Sequence, residues 1–310
     1  MAYKYNLYRA NGFHCAKGFR RANGFTLTEL IVVMVIIGIL SVGVSSLIIY
    51  PVESYNDLKR RAELVDMAEM ALQKMARDIR QALPNSIRTN SSMIEMLNTL
   101  DAGIYRYYPP PGGNANLLKF GYDDGSFSGD DTFTIYGQFQ QLGSEAITAL
   151  VINNTNNSDI YSQGSSNIRS SSSENYVITT PGTNITVTSG SDDTVNMDLS
   201  FLTPLSSTTP QLTTSLQGRR VFLSNGMITY KCESDQINRY SGHAINAAIG
   251  TISGGSGANL LSDHVDCTET SFTFDPGSAQ RGAIATLKIT LTDAGESVTL
   301  LHQIHVNNMP

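Results

Sequence analysis

The feature that most constrains this chain is an uncharged apolar run, Leu30–Val52, which lies between Glu29 and Glu53. Its 23 residues would span about 35 Å as an α-helix, enough to cross the roughly 30 Å hydrocarbon layer of a bilayer. Five cations and no acidic residue precede position 25. The positive-inside rule therefore places residues 1–24 in the cytoplasm and the chain after residue 53 on the far side of the membrane.

The overall charge fits an exported protein. The 310 residues carry a formal charge of -6, so removal of the five N-terminal cations would leave -11 on the other 286 residues. An apolar content of 41% excludes a wholly disordered chain, and the acidic balance argues against a nucleic-acid binder. The alternative is an ordinary cleaved secretory signal, with Leu30–Leu40 as its apolar region and Gly43-Val44-Ser45 as the cleavage site. The apolar run continues past that site, which favours a lasting membrane helix.

The residues before the apolar run form a motif, RRANGFTLTEL over positions 20–30. A basic leader that ends in Gly, then an aromatic residue, then Glu at the fifth position before an apolar helix resembles the prepilin leader of type IV pilins and type II secretion pseudopilins. The resemblance implies cleavage after Gly24 and N-methylation of Phe25. Two other Gly-Phe pairs, Gly12-Phe13 and Gly18-Phe19, precede no apolar run, so we reject them as cleavage sites.

The resemblance also implies a role for Glu29 and a set of partners. In this family the equivalent glutamate is thought to meet the N-terminal amine of a neighbouring subunit in the fibre, although an acid near a helix N-terminus is also favoured by the macrodipole. The implied partners are a prepilin peptidase, other major and minor pilins, an inner-membrane assembly platform and its ATPase. The implied location is the bacterial inner membrane, and then the pilus fibre or its tip. Many members have a proline midway along the apolar helix, whereas here the nearby proline is Pro51.

A second helical pattern follows the membrane segment. From Tyr55 to Leu83, apolar residues recur at steps of three and four, and Pro84 ends the pattern; they are Leu58, Ala62, Val65, Ala68, Leu72, Met75, Ile79 and Leu83. Residues 26–83 are therefore predicted to form one helix, or nearly one. The apolar stripe of its second half needs a partner, most simply the chain's own downstream sheet. A long coiled-coil dimer is the alternative.

The remaining chain reads as β structure, which gives an α+β fold with a long N-terminal helix and a C-terminal antiparallel sheet. Asn225-Gly226 predicts a hairpin between Arg220–Ser224 and Met227–Cys232. Asp293-Ala294-Gly295 predicts a second hairpin between Ile284–Thr292 and Ser297–Val306. Further predicted strands are residues 104–108, which lead into a proline-rich loop ending at Gly112, Thr132–Phe139, Tyr176–Thr179, Ile185–Thr188 and Val195–Leu202. The last three lie in a Ser/Thr/Asn-rich insertion, residues 153–217, in which Gln163–Ser173 is expected to be loop.

The chain therefore divides into a leader (1–24), a transmembrane and assembly helix (25–53), an amphipathic second half (54–84) and a β-rich periplasmic head (85–310). Cys15 lies in the leader. The remaining pair, Cys232 and Cys267, is predicted to form a disulfide in an oxidising compartment.

The search for catalytic or metal-binding patterns finds little, and we expect neither a cofactor nor an enzyme. His302 and His305 would point to opposite faces of a strand, with His302 on the core face. His243 and His264, near Asp263 and Asp266, form no recognised ligand spacing. The remaining candidates are better read as turns and loops; they are Asp123-Asp124-Gly125, Asp130-Asp131 and the Gly-rich Ser253–Gly257.

Within the pilin family, the chain resembles minor pilins of mannose-sensitive haemagglutinin pilus biogenesis. The runs that carry this resemblance are residues 77–86, 220–223, 230–232, 239–240 and 302–306. It implies a minor pilin that primes, tips or otherwise enters the pilus. The alternatives are a minor pseudopilin of type II secretion, a tip adhesin whose insertion binds glycans or surfaces, and a membrane-anchored periplasmic enzyme.

Overall fold

The structure is a computed structural model. It describes residues 24–106, 116–118, 130–152, 154, 158, 160–161, 178–179, 182–201, 219–277 and 282–306. Several predicted features lie outside the described residues: most of the leader, residues 107–112, Asp123–Gly125, Gln163–Ser173 and positions 176–177. Contacts between residues divide the chain into two units, Met1–Asn56 and Asp57–Pro310.

The structure confirms the single long helix predicted for residues 26–83. Helix α1 spans Leu27–Arg80, 54 residues, and continues through Pro51. It ends three residues before the predicted end at Leu83, because the chain turns there to pair with a strand. Leu83 N–H donates to the Leu97 carbonyl at 2.8 Å, and Ala82 forms an isolated bridge with Asn98.

The buried stripe of α1 begins later than predicted. Its fully buried apolar side chains are Leu64, Ala68, Ala71, Leu72, Met75, Ala76 and Ile79. Leu58, which the periodicity placed on the buried face, is 65% exposed, and Ala62 is also exposed. The prediction is wrong at these two positions because the sheet under the helix ends near residue 60. The turn of its last hairpin lies there, since Arg60 Nε is 3.3 Å from Asp293 Oδ2.

Within the residues that the structure describes, twelve strands follow the helix and form three antiparallel sheets. The first sheet has the order β1-β2-β7-β8-β9, with β4 also paired to β7. The second has the order β10-β11-β12, and the third β3-β6-β5. The bounds are β1 Arg88–Asn90, β2 Met93–Ile104, β3 Asp130–Thr134, β4 Ala149–Ile152, β5 Ile185–Thr188, β6 Thr194–Phe201, β7 Arg220–Glu233, β8 Gln236–His243, β9 Asn259–Ser262, β10 Ser271–Asp275, β11 Ala283–Asp293 and β12 Glu296–Val306.

The C-terminal hairpin is confirmed. β11 and β12 pair from Ala283↔Val306 to Asp293↔Glu296, joined by Ala294 and Gly295 with φ of 47° and 90°. The inward residues of β11 are fully buried against α1, as the alternation predicted; they are Ala285, Leu287, Ile289 and Leu291. This packing gives the stripe of α1 the sheet partner that its periodicity required.

The hairpin predicted at Asn225-Gly226 is wrong, because β7 runs straight through these residues. Strand β7 changes one neighbour there: β4 pairs with residues 221–224, whereas β8 pairs with residues 227–233. Gly226 has φ of 112°, and a Cβ at this position would lie 3.0 Å from backbone of β8. The glycine therefore permits a local irregularity in a continuous strand. The actual turn between β7 and β8 is Ser234-Asp235, with φ of 52° and 59°.

The Ser/Thr/Asn-rich insertion contains strands, as predicted. β5 coincides with the predicted Ile185–Thr188, and β6 is shifted from the prediction by one residue. β3 ends at Thr134, so the predicted strand Thr132–Phe139 is too long. Phe133, Ile135, Val195 and Val221 belong to a second buried cluster, separate from the one under α1.

Candidate functional site

The junction between Gly24 and Phe25 is open. Phe25 is 77% exposed, and a Cβ placed on Gly24 would meet no atom within 4 Å. Both residues precede α1 and have no regular secondary structure. A peptide bond in an exposed segment without regular secondary structure can enter an enzyme's active site without local unfolding.

Helix α1 begins immediately after this junction because Thr26 caps it. The Thr26 hydroxyl oxygen accepts a hydrogen bond from the Glu29 N–H at 3.3 Å, and the Thr26 carbonyl accepts one from the Leu30 N–H at 3.2 Å. Thr followed by Glu three residues later is the spacing of a capping box. The local sequence thus places Glu29 in the first helical turn, one turn from Phe25.

Glu29 is exposed and makes no ion pair with any residue that the structure describes. The apolar run follows it directly. A carboxylate costs about 2.5–3.5 kcal/mol at the centre of a membrane helix, so a glutamate at the edge of a span favours an arrangement that supplies a cation. The free α-amine that cleavage after Gly24 would create at Phe25 is a cation of this kind.

The apolar part of α1 is exposed wherever the structure describes its side chains. All side chains described from 24 to 44 and from 49 to 59 are exposed, with Val42 at 78% and Ile39 at 70%. Ser41 satisfies its hydroxyl by donating to the Ile37 carbonyl at 2.7 Å. Among the described residues, α1 is the one helix long and apolar enough to cross a membrane. Its surface requires lipid or other apolar helices.

The second half of α1 is fixed to the head by a buried polar cluster centred on Asp78, which is 4% exposed. Its Oδ2 accepts hydrogen bonds from the Tyr230 hydroxyl and from Arg239 Nε, both at 2.7 Å. Lys74 Nζ lies 3.8 Å from Oδ1. Burial and the neighbouring Asp78 carboxylate raise the pKa of Tyr230 well above its usual range, so its hydroxyl keeps its proton. This cluster connects α1 with β7 and β8.

A disulfide joins the two sequence-predicted cysteines, Cys232 of β7 and Cys267 of the segment between β9 and β10. Cys232 is buried in the cluster that includes the stripe of α1, and Cys267 packs against that cluster. The bond closes the segment that contains β8 and β9. Together with the Asp78 cluster, the disulfide connects β7 with β8 and with the segment that precedes β10.

A second buried ion pair holds the loop after β8. Arg88 donates to Glu95 Oε1 at 2.8 Å and to the carbonyls of Ala247 and Asn246 at 2.7 Å each. Glu95, fully buried, also accepts from the Gly250 N–H at 2.9 Å. Neither this pair nor the Asp78 cluster was predicted from the sequence. Asp78 was detectable, since it lies between Met75 and Ile79 on a buried helix face where an acid needs a partner.

The loop held by Arg88 forms one wall of a cleft of about 500 Å³ beside His243, Gly254 and Gly255. His243 Nε2 lies 2.8 Å from the Thr229 hydroxyl, an arrangement that resembles a base and a nucleophile. Both residues are buried, at 1% and 0% exposure, and Thr229 is not among the cleft's lining residues. His243 Nδ1 donates to the Ala244 carbonyl, so Nε2 accepts from Thr229 in the neutral ring. Burial lowers the pKa of His243.

The other histidines and acids do not form a metal site within the residues that the structure describes. His302 is half-buried on the inner face of β12 and His305 is exposed on the outer face. His264 Nδ1 lies 3.8 Å from Asp293 Oδ1 in an exposed position. Asp266 caps a turn by accepting from the Thr268 N–H and hydroxyl, so its carboxylate already has local partners.

Comparison with protein families supports the N-terminal site. Residues 19–45 match the prokaryotic N-terminal methylation motif, a segment that includes Gly24, Phe25, Glu29 and the first 16 residues of the apolar run. No curated protein and no solved structure matches the chain. The chain thus has an α+β fold, one membrane-capable helix and a type IV pilin-like prepilin signal. This combination supports a type IV pilin-like or pseudopilin-like protein that associates with the membrane and is processed by prepilin peptidase.

Proposed function

We propose that this protein is a minor type IV pilin, and that it takes part in pilus assembly in a tip or priming complex. The observation that carries the proposal is the methylation motif over residues 19–45, placed on an exposed junction and followed by a helix with an uncovered apolar surface. Such a chain is a substrate and subunit, and we assign it no enzymatic activity, cofactor or metal. After processing, the subunit stays in the inner membrane with its head in the periplasm and then enters the fibre.

Within this class we propose the role of the O-type protein of mannose-sensitive haemagglutinin pilus biogenesis. The resembling runs include residues with structural roles in the head. Asp78 belongs to the run 77–86, whereas Tyr230 and Arg239 belong to the runs 230–232 and 239–240, and these three side chains form the buried cluster. Three of the five resembling runs therefore contribute a side chain to the cluster that fixes the helix to the sheet.

The second candidate is a minor pseudopilin of a type II secretion system, which the same motif favours equally. Deletion of the gene separates the two: loss of pili with normal exoprotein secretion supports the pilin, and the reverse supports the pseudopilin. For a tip adhesin, the exported chain should bind a glycan array. If the protein were a membrane-anchored periplasmic enzyme, the exported chain should turn over a substrate, and that turnover should depend on the cleft beside His243.

N-terminal mass spectrometry in cells with and without prepilin peptidase tests the proposal. We expect a chain that begins with N-methylated Phe25 when the peptidase is present, and the uncut precursor when it is absent. A precursor that remains uncut in both strains, or a cut near Ser45, would contradict the proposal.

A Glu29→Ala variant tests the assembly charge separately, with Glu53→Ala as its control on the same helix. We expect both variants to be cleaved normally, because the cut lies before Phe25. Glu29→Ala should enter sheared fibres at least ten times less often than the control, because a neighbouring Phe25 amine would lose its counter-ion. Equal incorporation of the two variants would remove the proposed role of Glu29.

A further inference from the structure

Strand β12 lies at the end of its sheet, and its edge away from β11 pairs with no strand that the structure describes. Thr292 N–H of β11 donates to the His264 carbonyl at 2.7 Å, so the backbone of Thr292 points away from β12. Its antiparallel partner Ser297 must then point away from β11. Because this direction alternates along a strand, the backbone N–H groups on the free edge, here called the edge amides, are those of Ser297, Thr299, Leu301, Gln303 and His305.

This edge lacks the features that usually prevent an exposed strand from pairing. Natural edge strands are often short, bulged, or interrupted by proline or lysine. β12 has 11 residues, pairs with β11 without a register shift, and contains no Pro, Lys or Arg. By contrast, the edge strand β9 of the first sheet has 4 residues and a register shift in its pairing with β8. The edge of β12 is therefore open to a further strand.

The apolar packing beside this edge is incomplete. Val298 and Leu300 pack against the cluster under α1, yet both are only half-buried. Their partners on β11, Leu291 and Ile289, are fully buried. On the other face of β12, Leu301 is 62% exposed. A strand added beyond β12 would cover side chains on both of its faces.

The neighbouring flank of α1 is also apolar and uncovered. Arg60 Nε lies 3.3 Å from Asp293 Oδ2, at the end of β11. Arg61 Nε lies 3.8 Å from Glu296 Oε2, at the start of β12. Successive residues advance by about 100° around a helix, so the flank beyond Arg61 lies on the β12 side. We call the surface between this flank and β12 the β12 groove; its apolar residues, all exposed or half-buried, are Leu58, Ala62, Val65, Val298 and Leu300.

We propose that the β12 groove binds an extended segment of a different protein, which adds an antiparallel strand to β12. The edge amides and their carbonyl groups supply the backbone bonds. Strand side chains alternate between faces, so the segment needs large apolar residues at every second position, on the side of α1. The sequence periodicity that places Leu58, Ala62 and Val65 on a buried face is then satisfied by this added strand.

A second copy of the chain fits the groove less well. Among the strands that the structure describes, the long free edge of a copy is again that of β12. Parallel pairing of two such edges would bring the polar outer face of the copy beside the groove. Antiparallel pairing would point the two α1 helices in opposite directions, which does not suit two chains anchored in one membrane. The choice of a different protein therefore rests on the proposed function.

A peptide that copies β11, residues 283–293, is the probe, because β11 already pairs with β12 and has apolar residues at alternate positions. In the full chain in mild detergent, saturating peptide should slow hydrogen exchange of the edge amides at least tenfold. A peptide of the same composition with its apolar residues placed consecutively should have no effect. Replacement of β11 by the peptide would instead speed exchange at Asp266, whose N–H bonds to β11. That result, or unprotected edge amides, would overturn the proposal.

Proline substitution tests the pairing geometry. The Leu301 N–H points away from β11, so Leu301→Pro removes no bond within the sheet, and proline is tolerated at such edge positions. It does remove a bond to an added strand. We expect peptide binding at least ten times weaker for Leu301→Pro, and less than three times weaker for Leu301→Thr, which keeps the N–H. Gln303→Pro gives the same test if Leu301→Pro does not fold. Equal binding by the proline and threonine variants would contradict strand addition.

Photo-cross-linking in cells tests the choice of partner. p-Benzoylphenylalanine at position 301 of the full chain should give an adduct with a different protein, and mass spectrometry should place it in a segment that alternates apolar and polar residues. The same group at Thr292, which is exposed on β11, should give no such adduct. An adduct of two copies, a segment without alternation, or no adduct would overturn the proposal. Protected edge amides in a chain that is never methylated at Phe25 would contradict only the proposed function.

Discussion

Replacing Asp78 with asparagine should destabilise the protein substantially while changing almost no volume. Asp78 is 4% exposed, and its Oδ2 accepts the Tyr230 hydroxyl and Arg239 Nε, each at 2.7 Å. A hydrogen bond to a charged group contributes about 1.5–3 kcal/mol. Asparagine keeps an acceptor oxygen but loses the charge that strengthens both bonds, and it adds a buried amide donor. We therefore expect the free energy of unfolding to fall by about 2–3 kcal/mol.

Urea unfolding of the full chain in mild detergent measures this loss. The chain contains no Trp, so far-UV circular dichroism of the β-rich head is the signal of choice. A loss of about 2.5 kcal/mol corresponds to a roughly 70-fold change in the folding equilibrium constant. With an m value of about 3 kcal/mol per molar, the midpoint should fall by about 0.8 M urea.

Asp66→Asn is the matched control, since it makes the same chemical change on the exposed face of the same helix. In monomeric protein it should alter the free energy of unfolding by less than about 0.5 kcal/mol. Tyr230→Phe should cost about 1–2 kcal/mol, and its effect should be smaller in the Asp78→Asn background because the two groups share a bond. Equal stability of the Asp78→Asn and Asp66→Asn variants would refute the role of the buried cluster.

Two further predictions concern the head. Replacing both Cys232 and Cys267 with alanine should lower the free energy of unfolding by about 4 kcal/mol, because a bond across 35 positions restricts the unfolded chain; equal urea midpoints for the oxidised protein and the double variant would contradict this. Burial lowers the pKa of His243, so the unfolded chain binds more protons than the folded one near pH 6. His243 should therefore cost stability as the pH falls below about 6.5. The stability of His243→Gln should depend less on pH between 7.5 and 5, and parallel curves for variant and wild type would exclude the effect.

The helix and the last hairpin were predictable from the sequence because local signals and packing agree there. The uncharged run and the three-and-four spacing define α1 to within a few residues at each end. Alternation in β11 identifies Ala285, Leu287, Ile289 and Leu291, all of which are buried. In each case one face is apolar along its whole length, so the periodicity is read from many residues at once.

The turn predicted at Asn225-Gly226 is absent for a physical reason that the local sequence does not contain, since β7 continues through both residues. Positive φ at Gly226 suits a two-residue turn, but it equally suits an irregularity in a long strand. Strand β2 pairs with β7 on both sides of these residues, and this long-range pairing keeps the strand straight. The true turn, Ser234-Asp235, lacks glycine, so its positive φ values were not signalled.

The residues of the candidate sites divide in the same way. Gly24, Phe25 and Glu29 lie within six consecutive positions, so their arrangement follows from a capped helix start and could be predicted. The Asp78 cluster joins residues separated by 152 and 161 positions, and only the packing of α1 on the sheet brings them together. Spacing rules cannot identify partners at such separations, although an acid on a buried helix face does indicate that a partner exists.

The processing motif and the Asp78 cluster are joined by one helix, because α1 contains both Glu29 and Asp78. Under the proposed function, a load applied to the apolar part of the helix during insertion or extraction would pass along the helix backbone to residues 64–80. There the helix is fixed by a buried apolar stripe and by the Asp78 cluster. Loss of the cluster should therefore weaken the connection between the assembly helix and the head without altering the processing motif. Asp78→Asn protein should be methylated normally yet be recovered less often in fibres, and loss of methylation instead would place its effect before assembly.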